Sequence, residues 1–95
     1  MKVNLVARGA PELPENFRYR VHVYEIYETA VDVNVSILEK RKKKILKFIP
    51  ITTERVIASS TVHIKRDPQY DIASKRPLVE EAKVLYNYAK SRGKF

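Results

Sequence analysis

Apolar and polar residues alternate along three stretches of the chain. Phe17, Tyr19, Val21 and Val23 are interleaved with Arg18, Arg20, His22 and Tyr24, and Val31, Val33, Val35 and Ile37 with Asp32, Asn34 and Ser36. Further on, Val56, Ala58, Val62 and Ile64 are set against Ser59, Thr61, His63 and Lys65. Side chains on a strand switch faces at every residue, so each stretch predicts a strand with one oily and one wet face. A single strand from Tyr19 to Leu38, rising about 3.3 Å per residue, would outreach a small domain, so the chain must fold back inside it. That hairpin is expected near Glu28, Thr29 and Ala30, although no Asn-Gly or Asp-Gly pair marks it. Consecutive charges from Glu39 to Lys43 predict a second turn, followed by a short strand from Lys44 to Ile49 that Pro50 stops. Within residues 1–8, Val3 to Val6 is a further candidate edge strand, set apart by the loop holding Pro11 and Pro14.

The period changes near the end of the chain. Leu78, Ala82, Leu85 and Ala89 recur at spacings of four, three and four, which places them on one stripe of a helix predicted over residues 77–92. Pro77 suits the first helical position, and Lys90, Arg92 and Gly93 suit the end. Tyr86 and Tyr88 are two residues apart and cannot share a face, so Tyr86 is expected to pack inward and Tyr88 to stay wet. The pattern as a whole predicts an α+β fold, a single two-layer domain over residues 1–95. Its antiparallel sheet has four to five strands, the main ones within residues 17–66, and the C-terminal helix packs on one face.

Composition narrows the function classes. With no cysteine there is no disulfide framework, no thiolate zinc site and no cysteine nucleophile. Glycine occurs only at Gly9 and Gly93, so no glycine-rich phosphate loop and no Gly-x-Ser-x-Gly elbow can be written on this chain. His22 and His63 lie far apart and Asp67 and Asp71 follow no ligand spacing, so neither a metal nor a cofactor is expected. The chain is 44% hydrophobic and 32% charged, a balance that suits a folded globular domain. No apolar run approaches the about 18 residues of a membrane span, and Met1 to Ala10 lacks the long apolar segment of a signal peptide, which predicts a cytoplasmic protein. The scarcity of glycine, methionine and glutamine beside abundant Lys, Arg, Glu, Ile and Val resembles the bias of heat-adapted proteins.

Charge supplies the main functional signal. The net charge is +8, and its excess begins at Lys40: residues 1–38 sum to −1 (four basic, five acidic), residues 39–48 to +5 (six against one) and residues 49–95 to +4 (nine against five). The run Lys40, Arg41, Lys42, Lys43 and Lys44, with Lys47 close by, would attract phosphates and release condensed counterions. The same run would also keep a hairpin soluble and discourage edge pairing. A second constellation lies on the wet sheet face: Arg18, Arg20, His22 and Tyr24 on one strand, and Thr61, His63 and Lys65 on another. If those strands are neighbours, they offer cations for phosphate, a ring for stacking and hydroxyls for base edges, a surface suited to single strands or RNA. Its plainer reading is the solvated face of a two-layer fold.

These features lead to the expectation of a non-catalytic nucleic-acid-binding protein, for DNA or RNA, that contacts phosphates through the basic hairpin and sheet face. One alternative is a small protein-interaction or regulatory module, of the kind a viral accessory factor provides, docking on an acidic protein partner. Another is a metal-independent ribonuclease in which His22 and His63 act as general acid and base, although no orienting carboxylate is evident in the sequence. An exposed tyrosine and an uncovered edge strand also make a homodimer an expected assembly.

Overall fold

The structure is a computed structural model that describes residues 3–45, 49–65 and 76–95; for 43–45 and 49–51 only the backbone path is considered. A 3-10 turn at Val6–Arg8 precedes three strands, β1 (Phe17–Ile26), β2 (Ala30–Ile45) and β3 (Ile49–Lys65), and one helix, α1 (Arg76–Ser91). The strands form a sheet in the order β1-β2-β3 with both pairings antiparallel. The chain is thus an α+β domain with a three-stranded antiparallel sheet and a C-terminal helix. The expected four to five strands reduce to three among the described residues, for two reasons. Val3 to Val6 forms no strand: Leu5 is buried at 2% exposure and the chain turns there into the 3-10 segment. The expected turn at Glu39–Lys43 is instead the continuation of β2, and the expected separate strand from Lys44 to Ile49 is divided between the end of β2 and the start of β3. Residues 46–48, with Lys47, lie outside the described residues, as do Asp67 and Asp71.

The alternation of apolar side chains directs the core. Val31, Val33, Val35 and Ile37 on β2 are 2% exposed or less, and they face the stripe of Leu78, Ala82, Leu85 and Ala89 on α1, joined by Val79. Leu5, Ala10 and Leu13 from the N-terminal segment pack against the same core, beside Phe17, Tyr19 and Val21 of β1. Tyr19 donates a hydrogen bond to the Pro11 carbonyl at 2.8 Å, and burial followed by the nearby Tyr86 pushes its hydroxyl pKa up to about 12. The first hairpin turns through Glu28 and Thr29, as expected, and closes with the Tyr27 amide bonded to the Ala30 carbonyl at 2.8 Å. At its end α1 stops in a Schellman arrangement: Gly93 has φ 67°, its amide reaches the Lys90 carbonyl and the Lys94 amide reaches that of Ala89. The next residue, Phe95, then sets its ring edge-on to Phe17 at 5.1 Å and tilted against Tyr86 at 5.4 Å. Tyr86 accordingly packs inward and Tyr88 remains 48% exposed, in line with their spacing.

Two irregularities shift the faces. Ile57 is the extra residue of a bulge between the pairs Ile37–Ala58 and Leu38–Val56. It therefore turns toward the core, and Val56, expected on the oily face, is 46% exposed on the other one. On β1 the extra residue is Tyr24, between the pairs Val23–Val33 and Glu25–Asp32.

The three strands are also unequal in length. β1 begins at Phe17, opposite Glu39, because the preceding Asn16 sits at φ 75° and turns the chain away. Asparagine tolerates that left-handed backbone better than most residues. Its carbonyl accepts the Lys40 amide at 2.7 Å, so the sheet proper closes there. From Lys40–Glu54 to Ile45–Ile49 the six remaining pairs belong to β2 and β3 alone, and they project as a two-stranded arm about 20 Å long. This arm contributes to a long axis of 52 Å against 27 and 21 Å in the other directions. In urea denaturation, Leu78→Ala is expected to cost about 2–5 kcal/mol as a cavity in the core, and Phe95→Ala roughly 1 kcal/mol. Equal and negligible losses would show that α1 does not seal the sheet.

Candidate nucleic-acid interface

Because α1 and the N-terminal segment cover one side of the sheet, its other side is open to solvent. Arg18, Arg20 and His22 of β1 lie there, with Asp32, Asn34, Ser36, Leu38, Lys40 and Lys42 of β2 and Glu54, Ser59, Thr61, His63 and Lys65 of β3. At the end nearest the arm, Arg18 donates through Nε and Nη2 to the two carboxylate oxygens of Glu54, each at 2.7 Å. This bidentate pair crosses β2 at the position of Leu38, which is sheltered to 2% exposure although it sits on the solvated side. The Arg18 hydrogen bond holds the Glu54 carboxyl below its ordinary range, and the charges of Arg18, Arg20 and Lys40 act in the same direction. Three cations thus converge on one acid. Arg20, Lys40 and Lys42 form no ion pair among the described residues.

On the opposite side of the arm's base, Glu39 accepts Arg41 Nε and, at 3.3 Å, Arg55 Nη2. The Arg41 contact is the main reason its carboxyl is held low. The basic run therefore splits by alternation. Lys40 and Lys42 share a face with Arg18 and Arg20, Arg41 points to the other, and Lys43 and Lys44 continue the strand in register with Ile51 and Pro50.

The remaining expected residues are elsewhere. β2 lies between β1 and β3, so the two arrays of the wet face are not neighbours. His22 stands opposite Asn34, Tyr24 leaves the alternation in its bulge at 69% exposure, and His63 and Lys65 lie at the hairpin end. Lys65 pairs with Ala30 and Arg18 with Leu38, eight residues along β2 and about 26 Å away. The middle of the face is a knit polar ladder: Asn34 donates to the Ser59 hydroxyl at 2.9 Å, and Ser36 donates to the Asn34 side-chain carbonyl at 2.6 Å.

The hairpin end has its own cluster. Asp32 bonds His63 Nδ1 through one oxygen and accepts the Tyr27 hydroxyl through the other at 3.0 Å, while Tyr27 also donates to Glu25 at 3.2 Å. The His63 contact, followed by Tyr27, holds the Asp32 carboxyl below its ordinary range, and the Asp32 bond leads the causes that push the Tyr27 hydroxyl up to about 12. His63 thus has an orienting carboxylate, but His22 lies across β2 from it. Among the described residues, no three His, Asp or Glu side chains gather closely enough to hold a metal ion, and no helix is long and apolar enough to cross a membrane.

Glu54, Glu39 and Asp32 are the participants that sequence reasoning missed. Each stands among wet-face or turn residues, but its partner is set by register across strands, which local spacing does not encode. The fold and site together define an α+β domain with a basic β-ribbon arm. In comparisons with protein families, curated proteins and solved structures, the chain matches none.

Because the Glu54 carboxyl is held below its ordinary value of 4.5, its pairing with Arg18 stabilises the fold fully above that pH and is lost as pH falls through the lower folded value. Thermal midpoints followed from pH 7 to pH 3 are expected to fall less steeply for Glu54→Gln than for the parent chain. Identical slopes would mean that the pair adds nothing to the folded state.

Proposed function

We propose that this chain is a non-catalytic nucleic-acid-binding protein that contacts phosphates from the base of its arm. The observation that carries the reading is the grouping of Arg20, Lys40 and Lys42 on one open face without ion-pair partners among the described residues. Their field adds to that of a chain carrying +8 overall, and a positive surface of this kind steers and holds a polyanion. Arg18 and Arg41 are shared with Glu54 and Glu39, so they support the field less than their number suggests. Acids at the hairpin end, Glu25 and Asp32, make that region the less favourable one for phosphate, which centres the reading on the arm and the Arg20 side of the sheet.

The test is fluorescence anisotropy on a mixed pool of labelled DNA and RNA oligonucleotides over about 50–200 mM salt. Affinity is expected to fall steeply with salt. The double variant Lys40→Gln, Lys42→Gln should bind more weakly and with a log–log slope shallower by about two, one for each phosphate contact removed. Lys65→Gln, at the far end of the sheet, should leave both quantities unchanged. Absence of binding at the lowest salt would end this reading.

A further inference from the structure

We propose that the nucleic acid taken by this chain is B-form duplex DNA, and that the two-stranded arm enters its major groove. The inference rests on the nucleic-acid-binding reading above and names the form of the ligand. Its starting point is the shape that the early end of β1 creates. Beyond Asn16 only β2 and β3 continue, as a ribbon of six pairs with no third strand and no helix along it among the described residues. Two strands are about 4.8 Å apart, and the ribbon is roughly 10 Å across with its side chains. The major groove of B-form DNA, about 12 Å wide and 8.5 Å deep, admits a two-stranded β-ribbon, whereas that of A-form RNA is too deep and narrow for side chains to read.

The chemistry of the arm fits the same slot. Lys42 stands opposite Thr52 and Arg41, which is shared with Glu39, opposite Thr53, all four exposed, so both faces of the ribbon present a hydroxyl and the Lys42 face adds a cation without an ion pair among the described residues. Cationic donors serve guanine edges and phosphates, and threonine offers a donor, an acceptor and a methyl group to the floor of the groove. At the arm's root, Arg20 and Lys40 are positioned to meet the phosphates flanking the entry point. The clamp of Arg18 on Glu54 ties β1 to β3 at the ribbon's root, and on the other face Arg55 and Arg41 on Glu39 tie β3 to β2 there.

The solvated sheet face is a poor track for a single strand, which needs rings on successive strands for bases to stack upon. Tyr27 and His63, the rings that do gather there at 5.9 Å, are tied to Asp32 beside Glu25, where carboxylates repel phosphate. Tyr24, in its bulge on the edge strand β1, makes no ring contact among the described residues. Leu38, between Arg18 and Val56, is covered by the Arg18–Glu54 pair and offers no surface.

The deciding experiment is competition binding at low salt with a labelled 20-base-pair DNA duplex, its single strand, and the duplex RNA of the same sequence. Duplex DNA is expected to bind at least tenfold more tightly than either other form. Methyl green, which occupies the major groove, should displace the protein, and the minor-groove ligand netropsin should not. Thr52→Ala with Thr53→Ala, on the arm alone, should reduce the preference for duplex DNA without changing the affinity for single strands. Equal or tighter binding to single strands or duplex RNA, or displacement by netropsin alone, would overturn the inference while leaving the nucleic-acid-binding reading in place. Failure to bind any of the three would remove both.

Discussion

The unequal length of the strands is the constraint on which the rest of the molecule depends. β1 has 10 residues, β2 has 16 and β3 has 17, and the early end of β1 divides the sheet into a three-stranded body that carries the core and a two-stranded arm. The physical cause is local: Asn16 adopts a left-handed backbone and its carbonyl takes up the Lys40 amide, so the ladder that β1 offers to β2 ends there. On the body side of that bond one face of the sheet is buried by α1 and the N-terminal segment. Beyond it Lys40, Arg41 and Lys42, with Thr52, Thr53 and Glu54 opposite, are exposed on both faces, so consecutive basic residues can remain in a strand instead of forming the turn their charge suggests.

The ion pairs at the junction matter more for position than for energy. Exposed pairs of this type contribute little to stability, since water and salt screen them. Their placement is nevertheless specific. Glu54 draws Arg18 across the sheet over Leu38, and Glu39 gathers Arg41 and Arg55 on the reverse side. Each acid orients the root of the ribbon, and each leaves a surplus of cations around it. Among the described residues cations outnumber acids at the arm's root, where Arg18, Arg20, Lys40, Arg41, Lys42 and Arg55 surround Glu39 and Glu54, whereas at the hairpin end Asp32 engages His63 and Tyr27.

That division also separates the chemistry of the two histidines. His63 is oriented by Asp32, its direct cross-strand partner, and His22 faces Asn34 from the far side of β2. Paired acid–base catalysis needs two groups converging on one reacting atom. Here the strand order sets them on the two outer strands, across β2 from each other.

Much of the architecture was legible in the chain because it depends on local periods. Alternation over Phe17–Val23 and Val31–Ile37 specified which side chains enter the core, and the Leu78, Ala82, Leu85 and Ala89 stripe specified the helix and its buried face, since each pattern is a property of neighbouring residues. The basic character of the segment beginning at Lys40 was likewise explicit. Tertiary structure alone decided the strand order, the bulges at Tyr24 and Ile57, and the partners Glu54, Glu39 and Asp32. Those outcomes depend on register between segments as much as 36 residues apart, as in the Arg18–Glu54 pair, and a register is chosen by the packing of the whole sheet. For the same reason the sequence could announce a positive charge, but only the folded chain could turn part of it into an arm with two faces.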